Sequence, residues 1–228
     1  MVTVIIRSFL VTRNTWIIFI IVCVVSLGGL IYLSNKNRVD INVDEIDQSA
    51  VQPATEASGN IADHVLGNPE SKIVLIEYAD FQCPGCAGSY DQTKSLAQKY
   101  GDDIAIVLRN FPITSLHPHA LASSATAEAA GLQGKYWEMA DLLFTNQNEW
   151  SPLNAVDRST TFEAYAQQLQ LDIEKFKADQ ASAAVKQKID FDQSLAKKDN
   201  VEATPSFFLN GRALSQEEWN DDKWWNTS

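Results

Sequence analysis

Cysteine is scarce in this sequence, with three residues in a chain of 228. Three are too few for a small protein held together by several disulfides, so the fold has to depend on a hydrophobic core. The composition supports such a core, because 45% of the residues are hydrophobic and 10% are aromatic. Internal repeats and low-complexity tracts are also missing, and the composition excludes collagen-like and disordered proteins. We therefore expect one globular domain with appendages.

Acidic residues are missing from the first 35 positions, and all 29 of them lie farther along the chain. Of the 18 basic residues, only Arg7 and Arg13 fall in that first segment. The rest of the chain is therefore strongly negative. A charge of that sign argues against nucleic acid and anionic lipid head groups as partners.

Charge is absent altogether from the apolar run WIIFIIVCVVSLGGLIYL at residues 16–33. A helix of this length, at about 1.5 Å per residue, approaches the roughly 30 Å of a bilayer's hydrocarbon core, so we predict a transmembrane anchor in residues 1–35. A cleaved signal peptide is the alternative, with Ser26 and Gly28 at a small-residue cleavage site. Residues 36–61 are acidic and polar without sustained periodicity, which predicts a flexible linker.

Two short apolar runs, residues 72–78 and 103–111, have the composition of buried strands. The stretch from Pro84 to about Tyr100 between them suits a helix that ends with Gly101 in a left-handed cap conformation. Helical sequences then fill most of residues 117–199.

A predicted hairpin that turns at Asn210 and Gly211 follows the helical block. Ser215 and Glu218 then form a capping box for a last helix. This order of elements predicts an α/β protein with a thioredoxin-like fold and a helical insertion at about residues 113–200, within a domain of residues 62–228.

Two cysteines, Cys83 and Cys86, lie in FQCPGC between the first predicted strand and the following helix. A metal clamp, a structural staple and a redox centre can all use Cys-x-x-Cys, but this position favours the redox centre. Pro84 suits the first helical position, which makes Cys83 the cap residue. The free amides and dipole of the helix start should lower the pKa of Cys83, whereas Cys86 should be buried and less reactive.

Zinc is the rival hypothesis, because His117 and His119 could complete a set of four ligands with the two cysteines. Two histidines at positions i and i+2 point in different directions on a helix, and the strand-then-helix context already accounts for the cysteines. We therefore expect no metal site. His117 is interpreted as a residue near a helix start, His119 as solvated, and the remaining Cys23 as an inert apolar side chain.

The sequence resembles the DsbA-like branch of the thioredoxin superfamily, including its membrane-anchored members, at several separated places. FQCPGC follows KIVLIEYAD, and EATPSFFLNG lies near the C-terminus. Between them, RNFPITSLHPHALASSATAEAAGLQGKYWEMADLLF and LQLDIEKFKAD resemble the stretches that these proteins carry in their helical insertion. The resemblance covers about residues 62–225.

The resemblance implies thiol–disulfide exchange with exported protein thiols as substrates and without a cofactor. Cys83 is implied to be the exposed attacking sulfur and Cys86 the resolving one. The Thr204–Pro205 bond is implied to be cis and packed against the cysteines, with the Thr204 backbone pairing with substrate like an added strand. The residues implied to contact substrate are Pro84, Gly85, Thr204 and Pro205.

The resemblance also implies a membrane-anchored enzyme outside the cytoplasm and a quinone-linked membrane partner of the DsbB or VKOR type that reoxidises it. Where the best-known oxidases have Pro-His between the cysteines, this chain has Pro-Gly, which predicts an intermediate redox poise. Two alternatives stay open. One is a reductase or isomerase that runs the same chemistry in reverse, and the other is a redox-inactive module that binds peptides.

Glu77 lies six residues before Cys83 in the predicted strand. The resemblance implies a buried acid here, with a raised pKa, that relays a proton to or from Cys86. The alternative is a surface carboxylate without a role. Asp80 is nearer to the cysteines in sequence and is interpreted as a solvated loop residue.

Overall fold

The computed structural model describes residues 13–36 and 41–221. The chain divides into one unit of residues 1–40 and a second unit of residues 41–228. The redox motif and all strands of the described residues lie in the second unit.

The first unit contains helix α1, Arg13–Lys36, whose described side chains at residues 16–29 are nearly all exposed. No helix in residues 13–36 or 41–221 has both the length and the apolar character needed to cross a bilayer. The predicted transmembrane anchor at residues 1–35 is therefore wrong, and so is the single-pass membrane localisation derived from it.

The second unit is built on a five-stranded sheet in the order β1-β3-β2-β4-β5. Strands β2 and β3 are parallel, and the other pairs are antiparallel. Both central strands are almost completely buried, as expected for apolar runs covered on both faces. The strands are β1 (Val65–Gly67), β2 (Ile73–Ala79), β3 (Ile104–Asn110), β4 (Ser206–Leu209) and β5 (Arg212–Ala213).

Eight helices of the described residues belong to this unit, and six of them form the insertion between β3 and β4. Their side chains cover the sheet and the redox motif. This arrangement confirms the predicted thioredoxin-like fold with a helical insertion. The helices are α2 (Pro84–Tyr100), α3 (Ala120–Gly131), α4 (Tyr136–Thr145), α5 (Gln147–Trp150), α6 (Ala155–Gln168), α7 (Ile173–Gln180), α8 (Ala183–Lys198) and α9 (Gln216–Asn220).

Neighbouring residues of β2 pack against helices on opposite faces of the sheet. Leu75 belongs to the core beneath α2, where Trp219 of α9 stacks on Phe207 of β4. Ile76 belongs to the core beneath α8 with Phe191. Because successive side chains of a strand point to opposite faces, the sheet packs between α2 and α8. The redox motif follows shortly after the end of β2.

The turn chemistry of the chain end agrees with the sequence, whereas one helix cap does not. Asn210 and Gly211 both have positive φ, as a two-residue hairpin requires, and Ser215 and Glu218 form the predicted capping box. Gly101, predicted to be left-handed, has φ −58°. Glycine is required at this position for a steric reason, because a Cβ there would lie 2.4 Å from the Ala97 carbonyl oxygen.

Residues 41–61 fall within the predicted linker, and in the structure they belong to the second unit and pack on its core. Val43 and Ile61 are buried. Arg109 of β3 donates to the carbonyl oxygens of Gln48 at 2.6 Å and Ala50 at 2.8 Å. The buried Arg109 side chain thus holds this segment through its backbone carbonyl groups. The polar composition of the segment gave no indication of these contacts. Residues 37–40 of the predicted linker and 222–228 of the predicted domain lie outside the described residues.

A buried charge network fastens this N-terminal segment to β3 and α8. Asp63 contacts Arg109 Nη2 at 2.9 Å and Lys188 Nζ at 2.9 Å, and Lys188 also contacts Asp192 at 2.6 Å. All four side chains are almost fully buried. Each charge is therefore tolerated only because its partners are present.

We predict that Lys188→Met destabilises the protein by about 3–5 kcal/mol, because two carboxylates lose their shared buried cation. Lys186→Met, in the same helix, removes an exposed ion pair with Asp190 and should cost at most about 1 kcal/mol. Urea denaturation of both variants measures the difference. Equal losses would show that the buried network contributes no more than a surface pair.

Candidate active site

Helix α2 begins directly after the loop that follows β2, and Cys83 is its N-cap residue. The Cys83 backbone is extended, with φ −75° and ψ 121°, and Pro84 opens the helix. No side chain caps the first turn. The predicted cap position is confirmed, and the unpaired amides of the helix start lie beside the Cys83 sulfur.

The surroundings of Cys83 favour its thiolate and lower its pKa from 9.0 to about 5. The largest cause is the hydrogen bond from the side chain of Cys86. The backbone amides of Cys86 and Gly85 act in the same direction, against the effect of burial. Cys83, whose sulfur was predicted to be exposed, is only 8% exposed. It is still the more accessible of the two cysteines, because Cys86 is 0% exposed.

Cys86 has the opposite character. Burial, which is the largest cause, raises its pKa well above 9.0, and the hydrogen bond to Cys83 and the charges of Glu77 and Cys83 add to the effect. The backbone N–H of Asp80 lies 3.5 Å from the Cys86 sulfur. Cys86 is therefore the buried, less reactive thiol that the sequence predicted, and its side chain donates a hydrogen bond to Cys83.

Glu77 lies in β2 beneath the cysteine pair and is 1% exposed. Burial is the largest cause that raises its pKa from 4.5 to about 8, although Ser89 and Thr93 each donate a hydrogen bond at 3.4 Å. The predicted burial is confirmed, and the surface alternative is wrong. Because the pKa lies near neutrality, this carboxyl group can both give and accept a proton at physiological pH.

The loop before β4 closes the other side of the site. The predicted cis bond is present between Thr204 and Pro205. A Cβ on Gly85 would lie 3.1 Å from Pro205 Cδ and 3.6 Å from the Cys83 sulfur, so a side chain there would crowd the proline. The Cys83 thiol donates to the Thr204 carbonyl oxygen at 3.4 Å, and the buried Thr204 hydroxyl has no partner among the described residues.

Asp80 contradicts its interpretation as a solvated residue, because it is 0% exposed. Its carboxylate accepts from the backbone N–H groups of Gln82 at 2.8 Å and Ile113 at 2.9 Å. His117 Nδ1 lies 2.8 Å from the same carboxylate. Contacts from the loop after β3 therefore bury Asp80, and its nearness to the cysteines in sequence gave no sign of them.

The four residues of the zinc hypothesis do not meet in one cluster. His117 pairs with Asp80, and His119 Nε2 lies 2.7 Å from the Leu153 carbonyl oxygen. Within residues 13–36 and 41–221, no group of three or more potential ligands is placed to hold a metal ion. His119 is half-buried, so its interpretation as a solvated residue is wrong.

Gln82 is a site residue that the sequence gave no reason to select. Its side-chain carbonyl accepts from the backbone N–H of His119 at 2.6 Å, and its amide donates to Ser151 Oγ at 3.0 Å. These bonds attach the residue before Cys83 to two loops of the insertion. Neither periodicity nor spacing marks such a residue, because its partners are distant in the chain.

The geometry joins a stabilised thiolate, a buried thiol and a buried acid that titrates near neutrality. Such a set can form and break a disulfide while moving protons internally. The residues that the sequence selected as catalytic or substrate-binding, which are Cys83, Cys86, Glu77, Pro84, Gly85, Thr204 and Pro205, lie together at the start of α2.

Comparison with known proteins supports the same chemistry. A family model described as thioredoxin matches residues 59–224. A thioredoxin-like oxidoreductase from Silicibacter pomeroyi superposes with a TM-score of 0.57 at 26% identity, over 70% of this chain and 87% of that chain. MdbA, a thiol-disulfide oxidoreductase from Corynebacterium diphtheriae, superposes with a TM-score of 0.60 at 20% identity, over 82% and 98%, which shows a shared fold.

A sequence relative among curated proteins is the Na(+)/H(+) antiporter NhaA 3 of Salinispora tropica. It is 37% identical over 150 residues, which are 66% of this chain and 22% of the antiporter. The chain thus spans less than a quarter of the length of that relative. The similarity concerns a segment of the antiporter and carries no ion transport to this chain.

The first prediction from the site concerns the origin of the low Cys83 pKa. In a Cys23→Ser background, alkylation of Cys83 should be half-maximal near pH 5. Cys86→Ala should raise this midpoint, because it removes the largest stabilising hydrogen bond, whereas Cys86→Ser keeps a donor and should raise it less. Iodoacetamide rates between pH 3 and 10 measure the midpoint. A midpoint near the ordinary value of about 8.5 in the protein without substitutions at Cys83 and Cys86 would contradict the assignment.

A second prediction concerns Glu77, whose pKa is higher in the folded state than in the unfolded state. Its contribution to stability is complete below about pH 4.5 and is lost as the pH rises through about 8. Glu77→Gln cannot ionise, so we expect it to exceed the parent protein in stability by several kcal/mol above pH 8 and by much less at pH 4. Denaturant titrations at both pH values measure this difference.

Glu70→Gln is the matched control for Glu77→Gln, because Glu70 is an exposed acid. Its difference from the parent protein should be small at both pH values. A pH-independent effect of Glu77→Gln would show that the Glu77 carboxyl group does not titrate in the range assigned to it.

Proposed function

This chain belongs to the thioredoxin family as a DsbA-like member, and from that premise we propose that it oxidises protein dithiols through the Cys83–Cys86 pair. Thiol–disulfide exchange is supported by its similarity to oxidoreductases of this fold, of which MdbA is a thiol-disulfide oxidoreductase. The observation that carries the proposal is the contrast between the two sulfurs. One has a pKa lowered to about 5, and the other has a pKa raised above 9.0.

The forward reaction starts from the disulfide between Cys83 and Cys86. A substrate thiolate attacks the Cys83 sulfur, a mixed disulfide forms, and Cys86 leaves with the electron pair of the broken bond. A second substrate thiolate then attacks the substrate sulfur of the mixed disulfide, and Cys83 leaves as a thiolate. The substrate gains a disulfide, and the enzyme takes up two electrons as a dithiol. The low pKa of Cys83 favours its departure in the second step.

Glu77 supplies the proton that the first step requires. Cys86 leaves as a thiolate in a buried site where its pKa is high, so it takes a proton at once. Glu77 is largely protonated at neutral pH, and its ionised form interacts electrostatically with Cys86, so it is the proposed donor. In the reverse reaction the ionised Glu77 accepts the proton of Cys86 and activates it.

The loop of Thr204 and Pro205 is the proposed binding edge for the substrate chain. A thiolate cannot donate a hydrogen bond, so ionisation of Cys83 breaks its contact with the Thr204 carbonyl oxygen. That oxygen is then available to an N–H group of an extended substrate, as in strand addition. Pro84, Gly85 and Pro205 border the same opening, and Gly85 keeps it free of a side chain.

The direction of exchange follows from the stability of the reduced form. A thiolate that is stabilised in the dithiol form makes the disulfide a stronger oxidant. The pKa of about 5 for Cys83 lies between the values of about 3.5 for DsbA and about 7 for thioredoxin. We therefore propose a reduction potential between about −270 mV and about −120 mV, which agrees with the Pro-Gly dipeptide.

Substrates and the reoxidising partner remain predictions. The site recognises a thiol on an extended backbone, which suits exported proteins that carry unpaired cysteines. Net oxidation also requires an acceptor for the two electrons. A quinone-linked partner of the DsbB or VKOR type is the proposal for that role.

The experiment that tests the proposed function is equilibration with glutathione buffers, with quantification of the dithiol and disulfide forms. We predict a potential above that of thioredoxin by at least about 30 mV, which is a tenfold difference in the equilibrium constant. Cys83→Ser should abolish oxidation of a reduced substrate protein. Cys86→Ser should trap a mixed disulfide between Cys83 and an oxidised substrate, because in that reverse direction Cys86 is the internal sulfur that would resolve it.

Cys23→Ser is the matched control, since it removes the one cysteine outside the pair. This variant should keep both potential and activity. A potential near that of thioredoxin would favour the reductase alternative. Activity that survives Cys83→Ser would favour a peptide-binding module without redox chemistry.

A further inference from the structure

Gln147 brings the helical insertion into direct contact with the backbone around Cys83. It opens α5, the short helix between α4 and α6, and its side chain is buried. Its amide nitrogen donates to the Phe81 carbonyl oxygen at 2.8 Å and to the Cys83 carbonyl oxygen at 2.9 Å. A primary amide has two N–H donors, so both are used on this one loop.

The position of Gln147 is itself firmly held. Trp150, at the other end of α5, is fully buried, and its indole N–H donates to the Leu143 carbonyl oxygen at 2.7 Å. Its ring packs edge to face on Phe162 of α6, with ring centres 5.2 Å apart. The short helix α5 is thus anchored in the core of the insertion. The Gln147 side chain at its start therefore contacts the loop of Phe81 and Cys83 from a rigid element.

The Phe81 carbonyl lies in the peptide plane between Phe81 and Gln82, and the Cys83 carbonyl lies in the plane between Cys83 and Pro84. The plane between them is fixed by the bond from Cys83 N–H to the Asp80 carbonyl oxygen at 3.0 Å. The Cys83 carbonyl also receives the N–H groups of Cys86 at 3.1 Å and Ala87 at 3.2 Å. Three consecutive peptide planes are therefore constrained by hydrogen bonds, and one side chain, that of Gln147, contacts both outer planes.

These planes determine where the Cys83 sulfur stands relative to the amides of Gly85 and Cys86. Hydrogen bonds weaken steeply when their angle or distance changes, and the thiolate depends on several of them together. A glutamate at this position would place acceptor oxygens against two carbonyl oxygens and could not make the same contacts while ionised. The site therefore requires the amide specifically.

We propose that Gln147 is a positioning residue of the redox centre, through which the helical insertion orients Cys83 and sets the reduction potential of the Cys83–Cys86 pair. The functional consequence of this proposal rests on the proposed function, because the reduction potential of the pair matters only to a protein that exchanges disulfides. Its physical content, the orientation of the Cys83 sulfur, does not depend on activity.

The test compares Gln147→Met, which removes the two donors, with Gln147→Glu, which keeps the shape. The matched control is Gln133→Met. Gln133 also makes a two-point amide contact, with the backbone of Asp172 at 3.2 and 2.9 Å, but it joins α3 to the start of α7. The readouts are the pH midpoint of Cys83 alkylation, the equilibrium constant with glutathione at pH 7, and the denaturation midpoint.

We expect Gln147→Met to raise the alkylation midpoint by about one pH unit and to lower the equilibrium constant for reduction by glutathione about tenfold, which is about 30 mV. Gln147→Glu should shift both in the same direction by at least as much. Gln133→Met should lower the denaturation midpoint and leave both redox readouts within twofold of the parent protein.

Unchanged redox readouts in both Gln147 variants, together with a loss of stability like that of Gln133→Met, would overturn the proposal and leave Gln147 a structural residue. If Gln147→Met does not fold, the redox readouts of Gln147→Glu decide between the two roles. If neither variant folds, a structural role accounts for Gln147 and the proposal fails. Alkylation needs no exchange partner. A chain that lacks oxidase activity would therefore still report the Gln147 effect, and the two proposals fail separately.

Discussion

The hydrogen bond between the two cysteines is the interaction on which the site depends. It lowers the pKa of Cys83 and raises that of Cys86, because only one sulfur can carry the negative charge while the other donates. The N-terminal amides of α2 add to the preference for charge on Cys83, and complete burial keeps charge away from Cys86. A strand that ends below a helix start places the two sulfurs in the different environments that create this asymmetry.

The difference between the two cysteines suits catalysis because the pKa of Glu77 lies between the pKa values of the two sulfurs. Cys83 has a pKa near 5, Glu77 near 8, and Cys86 above 9.0. At neutral pH the first is an anion, the second is mostly neutral, and the third keeps its proton. A proton released or required by Cys86 can therefore move to or from Glu77, while Cys83 acts as nucleophile or leaving group without any proton transfer.

Local features of the site could be predicted from the sequence, because they depend on neighbours along the chain. The cap position of Cys83 follows from Pro84. The burial of Glu77, in an apolar strand, was implied by the family resemblance. Features that depend on distant contacts could not. Asp80 is buried by His117, and the polar segment 41–61 is held by Arg109. The uncharged apolar run at 16–33 predicted an anchor from its length and composition, which the described part of the chain does not support.

The insertion explains why the Pro-Gly dipeptide cannot by itself determine the redox poise. Asp80 is fastened to the loop after β3, and Gln82 is fastened to His119 and Ser151. These contacts hold the segment before Cys83, whereas the dipeptide lies after it. A change in the dipeptide alters what surrounds the sulfur, but the orientation of the sulfur depends on residues contributed by the insertion. Two proteins with the same four-residue motif can therefore differ in potential when their insertions hold this segment differently.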